Sequence, residues 1–289
     1  MRCAGAGEAD VAAPERGATV YLVDGTYELF RQFYGAPRRS SPDGQEIGAV
    51  AGLRRSLASL VRRRGVTHGA VAFDRVIESF RNRLFPGYKT SAGEPPELLA
   101  QFLPAERAAR AVGFAVWPMI EFEADDALAT AADRLARDPR VARIVICSPD
   151  KDLLQCVRGR RVVCLDRRRD RIVDEAAARE RFGIPPERIP DWLALVGDAA
   201  DGIPGLPGFG PATASRLLAL WPGIEAIPTD PRQWPAGLRG AARLARTLEE
   251  RRGEALLYRR LATLRRDAPV AADLDELRIR PFGDAPSFV

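Results

Sequence analysis

Apolar residues follow two rhythms along this chain. Short unbroken runs, rich in β-branched residues, occur at 19–25 (TVYLVDG), 69–75 (GAVAFDR) and 143–152 (RIVICSPDKD), and aspartate follows the apolar part of each. Unbroken runs of this length predict parallel strands buried on both faces rather than half-solvated edges. FAVWP at 114–118 and RVVCLD at 161–166 predict two more. Between the first two runs, Val50, Leu53, Leu57, Leu60 and Val61 recur at helical spacing, which makes a strand–helix–strand crossover. Further helices are expected in the alanine-rich run after EFEADD, over 191–196 as far as Gly197, and from about Pro211 through Leu217 and Leu218. The predicted class is α/β.

In an open parallel α/β sheet, ligands bind outside the carboxyl ends of the strands. That rule puts Asp24, Asp74, Asp150 and Asp152 on one rim, and EFEADD brings Glu123, Asp125 and Asp126 onto it. Each acid alone is accommodated as a turn residue or a helix cap, and acids in a first helical turn also favour the helix dipole. Together, so many carboxylates cannot stay ionised side by side without compensation, which bound divalent cations would supply. An oxygen-only donor set without His or Cys selects a hard ion, Mg²⁺ or Mn²⁺ rather than zinc. The lone His68 reads as structural. Glu123 and Asp126, three residues apart, can share one helix face while Asp125 points elsewhere. Glu123 and Asp125 are expected to contact metal most directly, and Asp126 to act through water or as a cap.

Farther along, PDWLALVGDAADGIPGLPGFGPATASRLLAL separates Asp198 and Asp201 by two alanines, a spacing that suits either one ion on a turn or an ordinary acidic turn. Gly208 and Gly210 precede the Pro211 helix. Glycines there let backbone approach a ligand closely, and free N–H groups at a helix start favour phosphate. Between the second strand and the acidic helix, Arg75, Arg81, Arg83 and Lys89 interleave with Phe80, Phe85 and Tyr88. This mixture suits a threading single strand of nucleic acid, or equally a solvated basic helix carrying core aromatics.

Composition adjusts this picture in five ways. The 289 residues are 46% hydrophobic and 29% charged, an ordinary soluble composition with length for one large or two modest domains. A net charge of +5 suits a polyanionic partner. Only Lys89 and Lys151 are lysine among 44 basic residues, so arginine runs carry less meaning than usual and the two lysines invite inspection. Cys3, Cys147, Cys156 and Cys164 form no C-x-x-C pair, against a zinc site or disulfide framework. No apolar run nears the about 20 residues that a bilayer requires, and MRCAGAGEADVAAPERGA lacks a signal-peptide core, so a cytoplasmic chain with a loose tail over 1–18 is expected.

LVDGTYELFRQFY, AVAFD, SFRNRLFPGYK, EADD, PDKDLLQ and GDAADGIPGLPGFGPATA, in this order over about 19–265, resemble the 5′-3′ exonuclease family. That family includes the 5′-nuclease domain of bacterial DNA polymerase I, phage 5′ nucleases and, more distantly, flap endonucleases. The resemblance implies a PIN-like parallel-sheet nuclease core over 19–178, flanked by helices and carrying a helical arch near 75–110. A C-terminal helical region over 179–289 would hold a helix-hairpin-helix variant near 190–220. It implies that Asp24, Asp74, Glu123, Asp125, Asp126, Asp150, Asp152, Asp198 and Asp201 surround two or more Mg²⁺ or Mn²⁺ ions. Lys89 and Arg81 would serve the scissile phosphate, Arg31, Tyr88, Gly208, Gly210 and Thr213 would contact DNA, and the glycine hairpin would hold K⁺. The implied partner is DNA with a 5′ end, flap or branch, met by a monomer acting alone or beside a separate polymerase, with no membrane involved. The chain departs from the pattern at Ala92 in YKTSA, at Gly202 in AADG and at Ala212 after the hairpin glycines, which weakens expected DNA contacts more than metal binding.

The expected reaction is two-metal hydrolysis of DNA phosphodiesters, releasing 5′-phosphate products. The rivals are a PIN-type endoribonuclease, a non-catalytic binder of branched DNA and a Mg²⁺-dependent phosphatase. The acidic pair and glycine hairpin beyond 180 favour duplex DNA.

Overall fold

The computed structural model describes residues 17–280. Most of the tail expected over 1–18, with Cys3, lies outside the described residues. Six strands, β1 (Ala18–Asp24), β2 (His68–Asp74), β3 (Ala115–Met119), β4 (Val141–Cys147), β5 (Val162–Asp166) and β6 (Arg171–Val173), form one sheet in the order β3-β2-β1-β4-β5-β6. The pairs from β3 through β5 are parallel, and β6 runs antiparallel to β5. The five strands expected from apolar runs are present. The sixth, three residues beside a run of arginines, has no period to betray it. The chain lays β2 and β3 on one side of β1 and returns to place β4 on the other. The strand order therefore reverses between β1 and β4, and the crevice at their carboxyl ends is the topological switch point where such sheets bind ligands.

Successive strand side chains face opposite ways, so the sheet feeds two cores. Val23, Val71 and Phe73 face α1 (Gly25–Gly35), α2 (Gly48–Arg64) and the later helix over Phe102–Val112, packing with Leu29, Leu53, Leu57 and Phe102. Val20, Leu22, Ala70 and Ala72 face the other way. Between β2 and β3 the chain forms α3 (Phe80–Leu84), α4 (Pro96–Leu99) and α5 (Phe102–Val112). The segment in which an arch was expected thus holds three helices of 5, 4 and 11 residues joined by turns.

α6 (Ala124–Leu135) lies against the second face. Its Ala127, Ala131 and Ala132 are buried in the same core as Ala70 and Ala72 of β2, and small side chains on both elements let helix and sheet approach closely. The same core continues without interruption through Leu193, Leu217, Leu248 and Leu261 of the C-terminal helices. Those helices are α7 (Glu175–Phe182), α8 (Ile189–Val196), α9 (Pro211–Leu220) and α10 (Ala241–Ala262).

The last described stretch is pinned at the amino-terminal end of β2, opposite the rim: Gly69 N–H donates to Leu277 O, and Ile279 N–H to Thr67 O. Among the described residues no helix is long and apolar enough to cross a membrane.

Candidate active site

Parallel strands deliver their carboxyl ends to one edge, so β1 brings Asp24 and β2 brings Asp74 to the same rim as the loop after β4. Asp24 caps α1, accepting from Tyr27 N–H at 2.8 Å, and also accepts from Ser148 Oγ at 2.9 Å. Asp74 accepts from Ala124 N–H at 2.7 Å, which ties the end of β2 to the start of α6. Burial, against the two hydrogen bonds and with Asp74 and Asp150 nearby, pushes the Asp24 carboxyl up to about 7. Burial likewise raises Asp74 to about 6, Lys89 opposing and Glu123 reinforcing the shift. Asp125 is raised well above the ordinary carboxylate range, by burial first and then by Asp24 and Asp150. Asp24, Asp74, Asp125 and the exposed Asp150 therefore form one electrostatically linked group.

Glu123 and Asp126 face away from that group. The α3 residue Arg81, 1% exposed, places Nη1 at 2.8 Å from Glu123 Oε1 and from Asp126 Oδ2, and Nη2 at 2.8 Å from Asp126 Oδ1. Its Nε donates to Leu261 O and its Nη2 also to Thr263 O. All five guanidinium donors are thus spent on protein acceptors. The expected reach of Arg81 to a phosphate is not what the structure shows: Arg81 lies beneath the rim, joining α6 to the end of α10. Asp126, with no exposed surface, also accepts from the backbone N–H groups of Glu123 and Arg265. Ser79 Oγ donates to Glu123 Oε1 at 2.7 Å, and Lys89 Nζ lies 2.7 Å from Oε2. Burial opposes the charge on Glu123, yet Lys89 and Arg81 hold its carboxyl down at about 2.

A second acidic group joins the loop after β4 to the turn after α8. Carboxylate oxygens of Asp152, Asp198 and Asp201 lie within 4.8 Å of one another. Asp152 is 4% exposed, and its Oδ1 has no hydrogen-bond partner. Burial, with Asp150 and Asp201, pushes the Asp152 carboxyl well up. Backbone geometry builds this corner. Asp198 and Ile203 exchange N–H···O bonds at 2.8 Å across a tight loop. Within that loop Gly202 sits at φ +72°, and a Cβ there would lie 2.2 Å from Gly87 O. The departure at 202 has this physical reason: no side chain fits. The close approach lets Lys89 N–H donate to Asp201 O at 3.1 Å, while Lys89 Nζ reaches Asp201 Oδ1 at 3.0 Å. Burial works against the Lys89 ammonium, but Glu123 foremost, with Asp201 and Asp74, keeps it charged well past its usual range.

The other expected site residues are dispersed. Arg31 pairs with the buried Glu28 at 2.6 Å and touches Ser56. Tyr88 is buried, with its hydroxyl donating to Glu123 Oε2 at 3.3 Å, so its ring presents no stacking face. Gly208 adopts φ +86°, Gly210 caps α9, and Thr213 lies half-buried in the first turn of α9. His68 pairs with Thr67. Ser79, Ser148 and Thr26, which donates no charge but accepts from Asp74 N–H, went unread in the sequence, because isolated hydroxyls carry no pattern.

The donor set fits hard divalent cations: every candidate ligand is a carboxylate, a buried one is orphaned, and several are held away from ionisation by burial first and then by one another. Asp24 and Asp74 have folded-state values near 7 and 6 against an ordinary 3.8, so their contribution is full below about pH 4 and is lost as pH rises to about 7. Metal-free protein should therefore melt lower at pH 8 than at pH 5.5 in respect of this site, and saturating Mg²⁺ should raise Tm more at pH 8. Scanning calorimetry at both pH values checks this; an equal or smaller Mg²⁺ shift at pH 8 would contradict it.

Comparison with known proteins bears on the whole chain. Residues 19–183 match the family model described as 5′-3′ exonuclease, N-terminal resolvase-like domain, and residues 184–285 match 5′-3′ exonuclease, C-terminal SAM fold. DNA polymerase I of Pseudomonas aeruginosa is 35% identical over 269 residues, which cover 90% of this chain and 28% of that protein. The chain thus spans under a third of the polymerases it matches. The 5′-3′ exonuclease of Aquifex aeolicus is 31% identical over 210 residues, 72% of each chain. Among solved structures, phage T5 5′-exonuclease with bound zinc ions superposes with TM-score 0.69 at 17% identity, covering 85% of this chain and 89% of that one. The T5 flap endonuclease in a pseudo-enzyme–product complex with DNA and metal ions gives 0.67 at 18% identity, with the same coverage. At such identities these two likenesses establish a shared fold.

Proposed function

Since the chain belongs to the 5′-3′ exonuclease family, we propose that it is a divalent-metal-dependent nuclease hydrolysing DNA phosphodiester bonds at 5′ ends and 5′ flaps, leaving 5′-phosphate products. The observation that carries this reading is the cluster of Asp152, Asp198 and Asp201, with Asp152 Oδ1 buried and orphaned, on the rim that also receives Asp24, Asp74, Asp125 and Asp150. Asp24, Asp74, Asp125 and Asp150 would hold one cation, and Asp152, Asp198 and Asp201 another. Bound there, the cations would lower the pKa of a water and stabilise the attacking and leaving oxygens of the displacement.

The protein's own groups do the remainder. Lys89, with its ammonium between Glu123 and Asp201 and its side chain 29% exposed, is placed to turn toward a phosphate that enters between the two groups. Glu123 acts on Lys89 rather than on a cation, because two positive side chains, Arg81 and Lys89, already balance its charge, whereas Asp24 meets only neutral donors. Arg81 and Asp126 fix the start of α6, and so the direction of Asp125. The glycine hairpin before α9, with Gly208, Gly210 and Thr213, would grip a duplex backbone without reading its sequence, with K⁺ on its carbonyls.

The test is a cleavage assay on a 5′-flap duplex labelled at either end, with and without Mg²⁺, beside the same structure with an RNA flap. Mg²⁺-dependent products shortened from the 5′ side of the DNA flap are expected. Lys89→Ala should lower turnover by about 10²-fold without weakening Mg²⁺ binding. Metal-independent cleavage, preference for RNA, or binding without turnover would each reject the reading.

A further inference from the structure

The two lysines both lie in the acidic centre. Of 44 basic residues, 42 are arginine, yet Lys89 touches Glu123 and Asp201, and Lys151 touches Asp198 and Asp152. Lys151 stands beside the cluster proposed to take the second cation. Its Nζ makes a close contact with Asp198 Oδ2 and lies 3.7 Å from Asp152 Oδ1, the buried oxygen with no hydrogen-bond partner. Its side chain is 29% exposed, so the ammonium has an open path away from the carboxylates. Chemistry distinguishes the two cations available to the chain. Arginine's planar fork locks onto a carboxylate by two bonds, whereas lysine's ammonium is a compact charge on a flexible stem that swings in and out.

We propose that Lys151 is an internal counter-ion for the second cation site, competing with the divalent ion for Asp198 and Asp152. This rests on the reading of Asp152, Asp198 and Asp201 as a cation site. While the ammonium is in place it offsets the repulsion that would otherwise oppose folding; when the divalent ion enters, the ammonium leaves to solvent. The second ion thus binds at a cost that the first does not meet, and occupancy of the second site becomes dependent on Mg²⁺ concentration.

Binding measurements on the metal-free full chain test this without reference to activity. Calorimetric titration with Mg²⁺, and Mn²⁺ counted by electron paramagnetic resonance, should give a tight and a weak ion for the wild type. Lys151→Met should tighten the weak ion by about ten-fold or more, because a competing charge at contact distance is gone, and should lower the melting temperature of the metal-free protein at pH 8. Lys151→Arg, which keeps the charge, should weaken the second ion further. A second ion bound no more tightly in Lys151→Met, or equally well in Lys151→Arg, overturns the proposal; the arginine variant decides the matter should the methionine variant fail to fold. Asp198→Ala/Asp201→Ala separates the two levels of inference. If it takes up as many ions as the wild type, the cation reading of the cluster fails. If it takes up one fewer while Lys151→Met changes nothing, only the role of Lys151 fails.

Discussion

Asp125→Ala is expected to slow Mg²⁺-dependent cleavage of a 5′-flap duplex by about 10³-fold, ~4 kcal/mol of barrier, while making the metal-free protein more stable. The two effects have one cause. Asp125 stands at the first turn of α6, where burial and the neighbouring Asp24, Asp150 and Asp74 all oppose its ionisation. A carboxylate in that position is a burden on the fold unless a cation shares it, so its removal relieves repulsion and deletes a proposed metal ligand together. Single-turnover kinetics on the labelled flap, with melting curves at pH 8 with and without Mg²⁺, separate the two effects. The variant should melt higher than the wild type without Mg²⁺ and gain less on its addition. Cleavage within ten-fold of wild type would remove Asp125 from the metal site, and a lower metal-free melting temperature would show that the carboxyl stabilises the fold.

Arg81→Ala should have the largest effect on stability, a loss of about 3–5 kcal/mol from leaving buried charges without their partner. Two carboxylates, Glu123 at 4% exposure and Asp126 at none, lose their shared guanidinium, and the carbonyls of Leu261 and Thr263 lose a donor. Arg81→Lys keeps the charge but not the five-donor fork, and should recover part of the loss. Urea denaturation of the three proteins gives the comparison. An Arg81→Ala loss below about 1 kcal/mol would contradict a structural role. An Arg81→Lys protein of normal stability but greatly reduced turnover would return Arg81 to contact with the reacting phosphate.

Arg81 also marks where sequence reading stops. The periodic features of the site were open to it: apolar runs located the strands, their parallel order put Asp24, Asp74 and the acids after β4 on one rim, and helical spacing placed Glu123 and Asp126 on a common face. Which side of α6 that face meets depends on Arg81, 42 and 45 residues away in the chain, and no local pattern encodes such a partner. Tertiary pairing decided that Glu123 and Asp126 face a guanidinium while Asp125 faces the other carboxylates. Tyr88 illustrates the same limit. An aromatic among basic residues is as compatible with a stacking surface as with a core, and only packing assigns it to the core. Lys151 was discernible for a different reason, since a lysine kept in an arginine-rich chain stands out by its chemistry rather than by its spacing. The segment after α10 left no signal because Val270, Leu274 and Leu277 are buried along irregular backbone, where no period exists to be read.

The rim is proposed to hold two divalent cations on two neighbouring sets of carboxylates. Crystals grown metal-free and soaked in Mn²⁺, with anomalous difference maps recorded at the manganese edge, test it most directly. Two peaks are expected, one bonded to carboxylates among Asp24, Asp74, Asp125 and Asp150, the other to Asp152, Asp198 and Asp201, with Lys151 withdrawn from the second. No peak at either group, or one coordinated by Glu123 and Asp126 in place of Arg81, would contradict it.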